Sequence, residues 1–296
     1  MPFLIAAAAL AALMLLYLFL IKPGPNDGRM GLFLGRCYAH RGLHDEAAGI
    51  PENSLAAFAA AADAGYGMEL DVHLTKDGKL AVFHDDTLLR MCGVQGEIKD
   101  STLAELQALT LAGTNQPIPA LDELLRLVDG RVPLIIEIKG QSMNPEACRH
   151  VHAALQGYPG AYVIESFNPI YLRWWRKNAP EVLRGQLSAN LLKEGAKDMR
   201  DRVQRWAVKH LLTNFLTRPD FIAYDHRDEG SLSFRLCRSF FKAVTVFWTI
   251  QDEATFQRVK GRCDAVIFEG FLPPKEFETC AGRRIRPDCV FADAFE

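Results

Sequence analysis

Residues Gly67 to Leu74 read GMELDVHL, and residues Pro133 to Gly140 read PLIIEIKG. Side chains alternate across a β-strand. Glu69, Asp71 and His73 therefore share one face of the first segment, against Leu70 and Val72. Glu137 and Lys139 share a face of the second, against Ile136 and Ile138. Apart from these residues, both segments have the near-continuous apolar character of parallel strands covered on two sides. A buried carboxylate without a partner costs on the order of several kcal/mol, so these groups need a cation. A structural salt bridge would account for any one of them singly. Three carboxylates from two strands exceed what Lys139 can neutralise, and a hard divalent ion with oxygen ligands is their natural complement.

Working outward, the same strand character recurs in RCYAH (36–40), AYVIES (161–166), LRGQLS (183–188), FIAYD (221–225), AVTVFWTI (243–250) and DAVIFEG (264–270). Helical patterns lie between several of these runs. Pro51-Glu52-Asn53-Ser54 opens one helix, Leu55, Phe58 and Ala62 give its apolar face, and Gly65 ends it. Another starts at Asn168-Pro169 and passes through Trp174 and Trp175. Eight strand candidates with intervening helices predict an α/β fold, a closed TIM (β/α)8 barrel in preference to a doubly wound open sheet. Residues 79–113 interrupt the alternation. KLAVFHD (79–85) reads as an extra strand after the turn TKDG, and Asp100 or Ser101 as the cap of a helix with Glu105 nearby. This is a small insertion after the second barrel strand, placed at the active face because it follows a strand's C-terminal end.

The 296 residues carry 34 basic and 36 acidic side chains, a net charge of −2, with 49% hydrophobic and 24% charged residues. Such a chain buries a sizeable core, which argues against a disordered or fibrous protein. It lacks the basic excess usual in nucleic-acid-binding proteins, so no nucleic-acid partner is expected. The exception to this average is Phe3 to Ile21, FLIAAAALAALMLLYLFLI, which has no charge. At 1.5 Å per residue it spans about 28 Å, close to a hydrocarbon core. A cleaved signal peptide is the rival reading. The absence of Lys or Arg before the run, and its bulky Leu, Tyr and Phe ending, favour a retained single-pass anchor. Lys22, Arg29 and Arg36 follow the span, which favours a main domain facing the cytoplasm. The seven cysteines are scattered without a CxxC pair, as expected of reduced thiols. The predicted layout is an anchor over 1–22, a linker over 23–34 that includes most of KPGPNDGR, and the barrel domain over 35–296.

Two histidines stand at strand ends: His40 beside Arg41, and His84 in FHDD. Histidine exchanges a proton near neutral pH. His150, His152, His210 and His226 read as ordinary polar residues, and the glycine within HRGLH argues against a helical zinc pair of His40 and His44. Two histidines, Arg41, Lys139 and a metal suit a phosphodiester, with positive charge for the phosphate and a base–acid pair for its two oxygens.

The ordered set HRG (40–42), PENS (51–54), AFAAAADAGYGMELDVHLTKDG (57–78), VFHDDTLLRMCGVQGEI (82–98), IPALDELL (118–125), PLIIEIKG (133–140), SFNP (166–169) and WT (248–249) resembles the glycerophosphodiester phosphodiesterase family across nearly the whole chain after the anchor. The resemblance implies a TIM barrel that hydrolyses glycerophosphodiesters to sn-glycerol 3-phosphate and an alcohol. It implies one divalent metal ion, Mg2+ or Ca2+, on Glu69, Asp71 and Glu137, a catalytic pair in His40 and His84, and phosphate contacts from Arg41 and Lys139. Phe167 and Trp248 are candidate substrate contacts, with barrel filling the alternative for each. The last strand ends IFEG where the family often has Thr-Asp or Thr-Asn, and Glu269 is left outside the expected site. Two other functions stay open: a lysophospholipase D acting on lipid in the bilayer, and an inactive membrane-anchored binding protein. The basic, aromatic-bearing stretch Lys193 to Arg218 leans toward the first if it lies on a leaflet, and otherwise reads as an outer barrel helix with its connection.

Overall fold

A computed structural model of the chain describes residues 1–25, 28–195 and 198–279. Nine strands are formed: β1 (Cys37–Ala39), β2 (Gly67–Leu74), β3 (Leu80–Val82), β4 (Leu134–Ile138), β5 (Tyr162–Ser166), β6 (Arg184–Ser188), β7 (Phe221–Asp225), β8 (Val244–Ile250) and β9 (Ala265–Phe268). All except β3 are parallel, in the order β1-β9-β8-β7-β6-β5-β4-β2, and pairing of β1 with β2 closes the ring. The result is the predicted eight-stranded TIM barrel. β3 turns back antiparallel along the end of β2, with Val72 opposite Val82.

The helices are α1 (Pro2–Ile21), α2 (Leu55–Ala64), α3 (Leu89–Cys92), α4 (Leu103–Gln107), α5 (Leu121–Val128), α6 (Glu146–Ala154), α7 (Pro169–Asn178), α8 (Met199–Lys209), α9 (Asn214–Thr217), α10 (Leu232–Ser239) and α11 (Glu253–Val259). Several begin where local chemistry requires. The Ser54 hydroxyl accepts from Ala57 N at the start of α2, Gly65 ends that helix at φ 76°, and Asn168 caps α7 ahead of Pro169. The insertion's helix differs from expectation. Thr102, not Asp100 or Ser101, caps α4 in a reciprocal box with Glu105, because residues 98–100 form a separate short turn.

The barrel interior has two levels. Tyr38, Ile135, Val163, Phe221, Val244 and Ala265 fill the lower part, where Met30 and Phe33 of a turn at 29–33 close it from beneath. Above this apolar plug the inward positions become acidic. Register places Asp71 beside Glu137, and Glu137 beside Glu165, on three adjacent strands. Strand parity thus delivers a row of carboxylates to the C-terminal mouth, while outward residues such as Leu70, Ile136 and Ile164 pack under the helices. Cys37, Cys92, Cys148 and Cys237 are free thiols; Cys280 and Cys289 lie outside the described residues.

α1 is an apolar helix of 20 residues, long enough to cross a bilayer, and a signal sequence passes the same test of length and composition. Within the stretch Lys193 to Arg218, the described residues from 198 onward form α8, α9 and the connection between them, ahead of β7.

Candidate active site

Glu69, Asp71 and Glu137 are buried, and one oxygen from each lies within 4.8 Å of the others. Lys139 Nζ sits 2.9 Å from both Asp71 Oδ1 and Glu137 Oε2. Burial, then the charges of Asp71, Glu137 and Glu165, push the Glu69 carboxyl well above the usual range. Burial also lifts Glu137 to about 7 against the pull of Lys139. Asp71 goes the other way: burial is outweighed by Lys139, His84, Arg41 and the Asn53 amide, which hold it well below the ordinary value. If all four ionised, Glu69, Asp71, Glu137 and Glu165 would carry two more negative charges than the nearby cations Arg41 and Lys139 offset, which is why three of them hold protons more tightly than usual. A divalent ion on Glu69, Asp71 and Glu137 relieves that repulsion, so the donor set fits a hard metal.

The turn after β1 supplies the next layer. Arg41 adopts φ 56°, and its backbone N–H donates to Glu69 Oε2 at 3.1 Å. Gly42 has φ 82°, and a β-carbon there would lie 2.8 Å from the Ala57 backbone. Only glycine satisfies both the backbone and the space. The PENS segment lies against this turn. Glu52 accepts from Arg41 Nη1 at 2.8 Å, while Asn53 donates to Asp71 Oδ2 at 2.9 Å.

Each expected histidine is held on Nδ1 by a carboxylate: His40 by Glu269 at 2.5 Å, and His84 by Asp85 at 2.6 Å. This leaves Nε2 as the nitrogen that can exchange a proton with a substrate. Burial and Arg41 lower the His40 imidazole's proton affinity, opposed by Glu269. Burial, with Lys139 and Arg41, brings His84 down to about 4 against Asp71 and Asp85. Arg90 links Asp85 to Glu52, with Nε donating to Asp85 Oδ2 at 2.6 Å and Nη2 to Glu52 Oε1 at 2.7 Å. Alternating charges therefore run from Asp85, the partner of the His84 imidazole, through Arg90 and Glu52 to Arg41.

Beside these groups opens a cavity of about 460 Å³, lined by His84, Glu137, Lys139, Phe167, Trp248 and residues of α8. The Phe167 and Trp248 rings meet edge to face, 5.9 Å apart. The profile of the Glycerophosphoryl diester phosphodiesterase family matches residues 40–268, which begin at His40 and contain every other expected site residue. The chain belongs to that family.

A glycerophosphodiester phosphodiesterase of Caldanaerobacter subterraneus subsp. tengcongensis is 38% identical over 161 residues, 50% of this chain and 65% of that protein. The match thus spans just under two thirds of the relative. The crystal structure of the Thermotoga maritima glycerophosphodiester phosphodiesterase is 30% identical with a TM-score of 0.58, covering 78% of this chain and 93% of that one. An Oleispira antarctica phosphodiesterase, solved with the product sn-glycerol-3-phosphate, is 25% identical with a TM-score of 0.63, covering 80% and 93%.

In this family member the expected residues converge, and others join them. Glu269, outside the expected site, is the His40 partner and also accepts from Gln251 at 2.7 Å. Glu165 is 1% exposed, and its Oε2 has no hydrogen-bond partner among the described residues. Burial, Glu137 and Asp71 push its carboxyl well above the usual range. Its inward parity in YVIES matches that of Glu137 in LIIEI, and this was the readable signal. His73 Nε2 contacts the His84 carbonyl at 3.1 Å, so it braces the extra strand instead of facing the carboxylates. His150 and His152 stand away on α6, near Glu146 and beside Trp175 respectively.

Proposed function

We propose that this chain hydrolyses glycerophosphodiesters to sn-glycerol 3-phosphate and an alcohol. The observation that carries the reading is two carboxylate-held histidines beside a buried cluster of Glu69, Asp71 and Glu137, with Arg41 and Lys139 among them. Glu69, Asp71 and Glu137 would hold a divalent ion, Mg2+ or Ca2+, whose chemistry there would be to supply positive charge for the phosphate. Arg41 and Lys139 add charge for the phosphate and for the transition state. His40 takes the proton of the attacking hydroxyl at Nε2, and Glu269 stabilises the imidazolium that results. His84 gives a proton to the leaving alkoxide as the bond from phosphorus to the alcohol oxygen breaks. A phosphodiester brought against Arg41 and Lys139, with its single negative charge, offsets part of the positive charge that drives the proton off His84, and so favours its acid form. Two nucleophiles fit this arrangement: water, or the glycerol 2-hydroxyl, which yields a cyclic phosphate that water then opens.

Residues 1–22 are the retained anchor in this reading, 23–34 its connection and 35–296 the catalytic domain, held at the cytoplasmic side of a membrane. A lysophospholipid is the second substrate reading, favoured by Phe167, Leu191, Val208 and Trp248 in the cavity wall. The deciding assay compares glycerophosphocholine with vesicle-borne lysophosphatidylcholine for the wild type, His40→Ala and His84→Ala, with EDTA and with Mg2+ or Ca2+ restored. Turnover falling about 10²–10⁴-fold in each variant supports the acid–base assignment. Near-native turnover on both substrates in either variant removes that histidine from the mechanism, and activity indifferent to EDTA removes the metal.

A further inference from the structure

The end of α1 is seated on the barrel wall. The Ile21 carbonyl accepts from Asn214 Nδ2 at 2.8 Å and from the Cys237 thiol at 3.2 Å, and the Tyr17 hydroxyl meets Ser233 Oγ at 2.9 Å. Phe19 lies 6.0 Å from Phe215 and under the Arg218 guanidinium. The two contacts with α10 give the direction of α1. Tyr17 meets Ser233 and Ile21 meets Cys237, so four residues along one helix match four along the other, and the helices run parallel. α10 begins after the C-terminal end of β7 and descends toward the start of β8. Followed back toward its N-terminus, α1 therefore leaves the barrel at the mouth of the carboxylate site.

Residues 1–16 are exposed beyond this seat. At 1.5 Å per residue they reach about 24 Å, against a hydrocarbon core of about 30 Å. The shortfall of about 6 Å is met if the barrel rim sinks to the boundary between head groups and acyl chains, the depth at which amphipathic interfacial helices lie. The rim is built for it. On α8, Asp201, Gln204, Arg205 and Val208 line the cavity, while Met199, Val203 and Trp206 on the opposite face are 71%, 57% and 48% exposed. Leu232, at the mouth end of α10, is 63% exposed, and Leu89, which opens α3 beyond β3, and Met143, in the loop beyond β4, are exposed as well. Lys193, just before α8, and Arg202, within it, are exposed, as suits an anionic leaflet.

We propose that the barrel sits mouth toward the bilayer, with Met199, Val203, Trp206 and Leu232 in contact with lipid. This rests on α1 being a retained anchor. An amphiphilic diester then reaches the cavity without leaving the membrane.

The test reconstitutes the full chain into nanodiscs of brominated phosphatidylcholine and phosphatidylglycerol and reads quenching of tryptophan emission. The wild type is compared with Trp206→Phe, and with Trp206→Phe carrying Phe240→Trp. Phe240 is 64% exposed at the far end of α10, away from the mouth. Quenching that is lost in Trp206→Phe and not restored by Phe240→Trp is the expected result. A chain that floats with vesicles after carbonate washing but shows no Trp206-dependent quenching overturns the orientation alone, as does quenching of Phe240→Trp. A chain released by carbonate overturns the anchor, and the orientation with it. Flotation of each variant alongside wild type keeps a folding failure from passing as a negative.

Discussion

Thermal unfolding of protein stripped of divalent ions, followed across pH with and without millimolar Mg2+ or Ca2+, probes the carboxylate cluster directly. Glu137 lies at about 7 in the folded protein against an ordinary 4.5, because burial outweighs the Lys139 charge. Below the ordinary value both folded and unfolded chains keep that proton, and pH has no effect through this group. Between 4.5 and about 7 the unfolded chain loses the proton while the folded one retains it, so stability falls as pH rises, and the loss is complete above about 7. At about 1.4 kcal/mol per tenfold change in proton affinity, Glu137 alone accounts for about 3 kcal/mol. Glu69 and Glu165, raised for the same reasons, act in the same direction. Asp71, held low, contributes stability above its ordinary value that is lost only toward acid pH. A bound divalent ion requires ionised ligands, so its affinity grows as protons leave. At a hundredfold excess over Kd it stabilises by about 2.7 kcal/mol. A chain of this size shifts by about 2–4 °C per kcal/mol, so Tm should rise by about 5–10 °C near pH 7.5 and much less near pH 5. Asp71→Asn should abolish the rise. A shift of equal size at both pH values, or none with either ion, would refute the view that the ion relieves repulsion among these carboxylates.

Three further outcomes follow from the same geometry. Glu269→Gln removes a charge-assisted bond to His40 worth about 1.5–3 kcal/mol, so kcat/KM should fall about 10–100-fold. Because Glu269 favours the protonated imidazole, the acid limb of the pH profile should move to lower pH, and an unmoved limb would detach Glu269 from His40. Glu165→Gln removes a carboxyl that a bound ion would draw into its ionised form, so metal binding should weaken by about tenfold in calorimetry while kcat at saturating metal holds; an unchanged Kd would exclude Glu165 from the site's electrostatics. Trp248→Ala should raise KM by about 3–10-fold through the lost ring contact with Phe167, whereas a fall confined to kcat would argue against a binding role.

Strand parity alone placed Glu69, Asp71 and Glu137 on one strand face, recurring apolar runs placed the eight barrel strands, and the run after the turn TKDG placed the extra one, because all of these are local signals. Glu52 and Asn53 were legible only as the start of a helix. Their service to Arg41 and Asp71 depends on a left-handed turn at Arg41 that brings two loops together. Glu269 had no local signal to separate it from a rim residue. Its value comes from closure of the barrel, which sets β9 beside β1 and so brings the residue after β9 to His40, 229 positions away in sequence.

What the amino-acid order determined by itself was therefore the barrel, its charged layer and the apolar run at the front, all written in repeats of two or in uninterrupted stretches. Tertiary structure decided which carboxylates hold which bases, that register sets Glu165 beside Glu137, and on which side of the barrel the apolar run departs. Those outcomes depend on register between strands and on the docking of α1 against α9 and α10, contacts between residues far apart in the chain that no local pattern encodes.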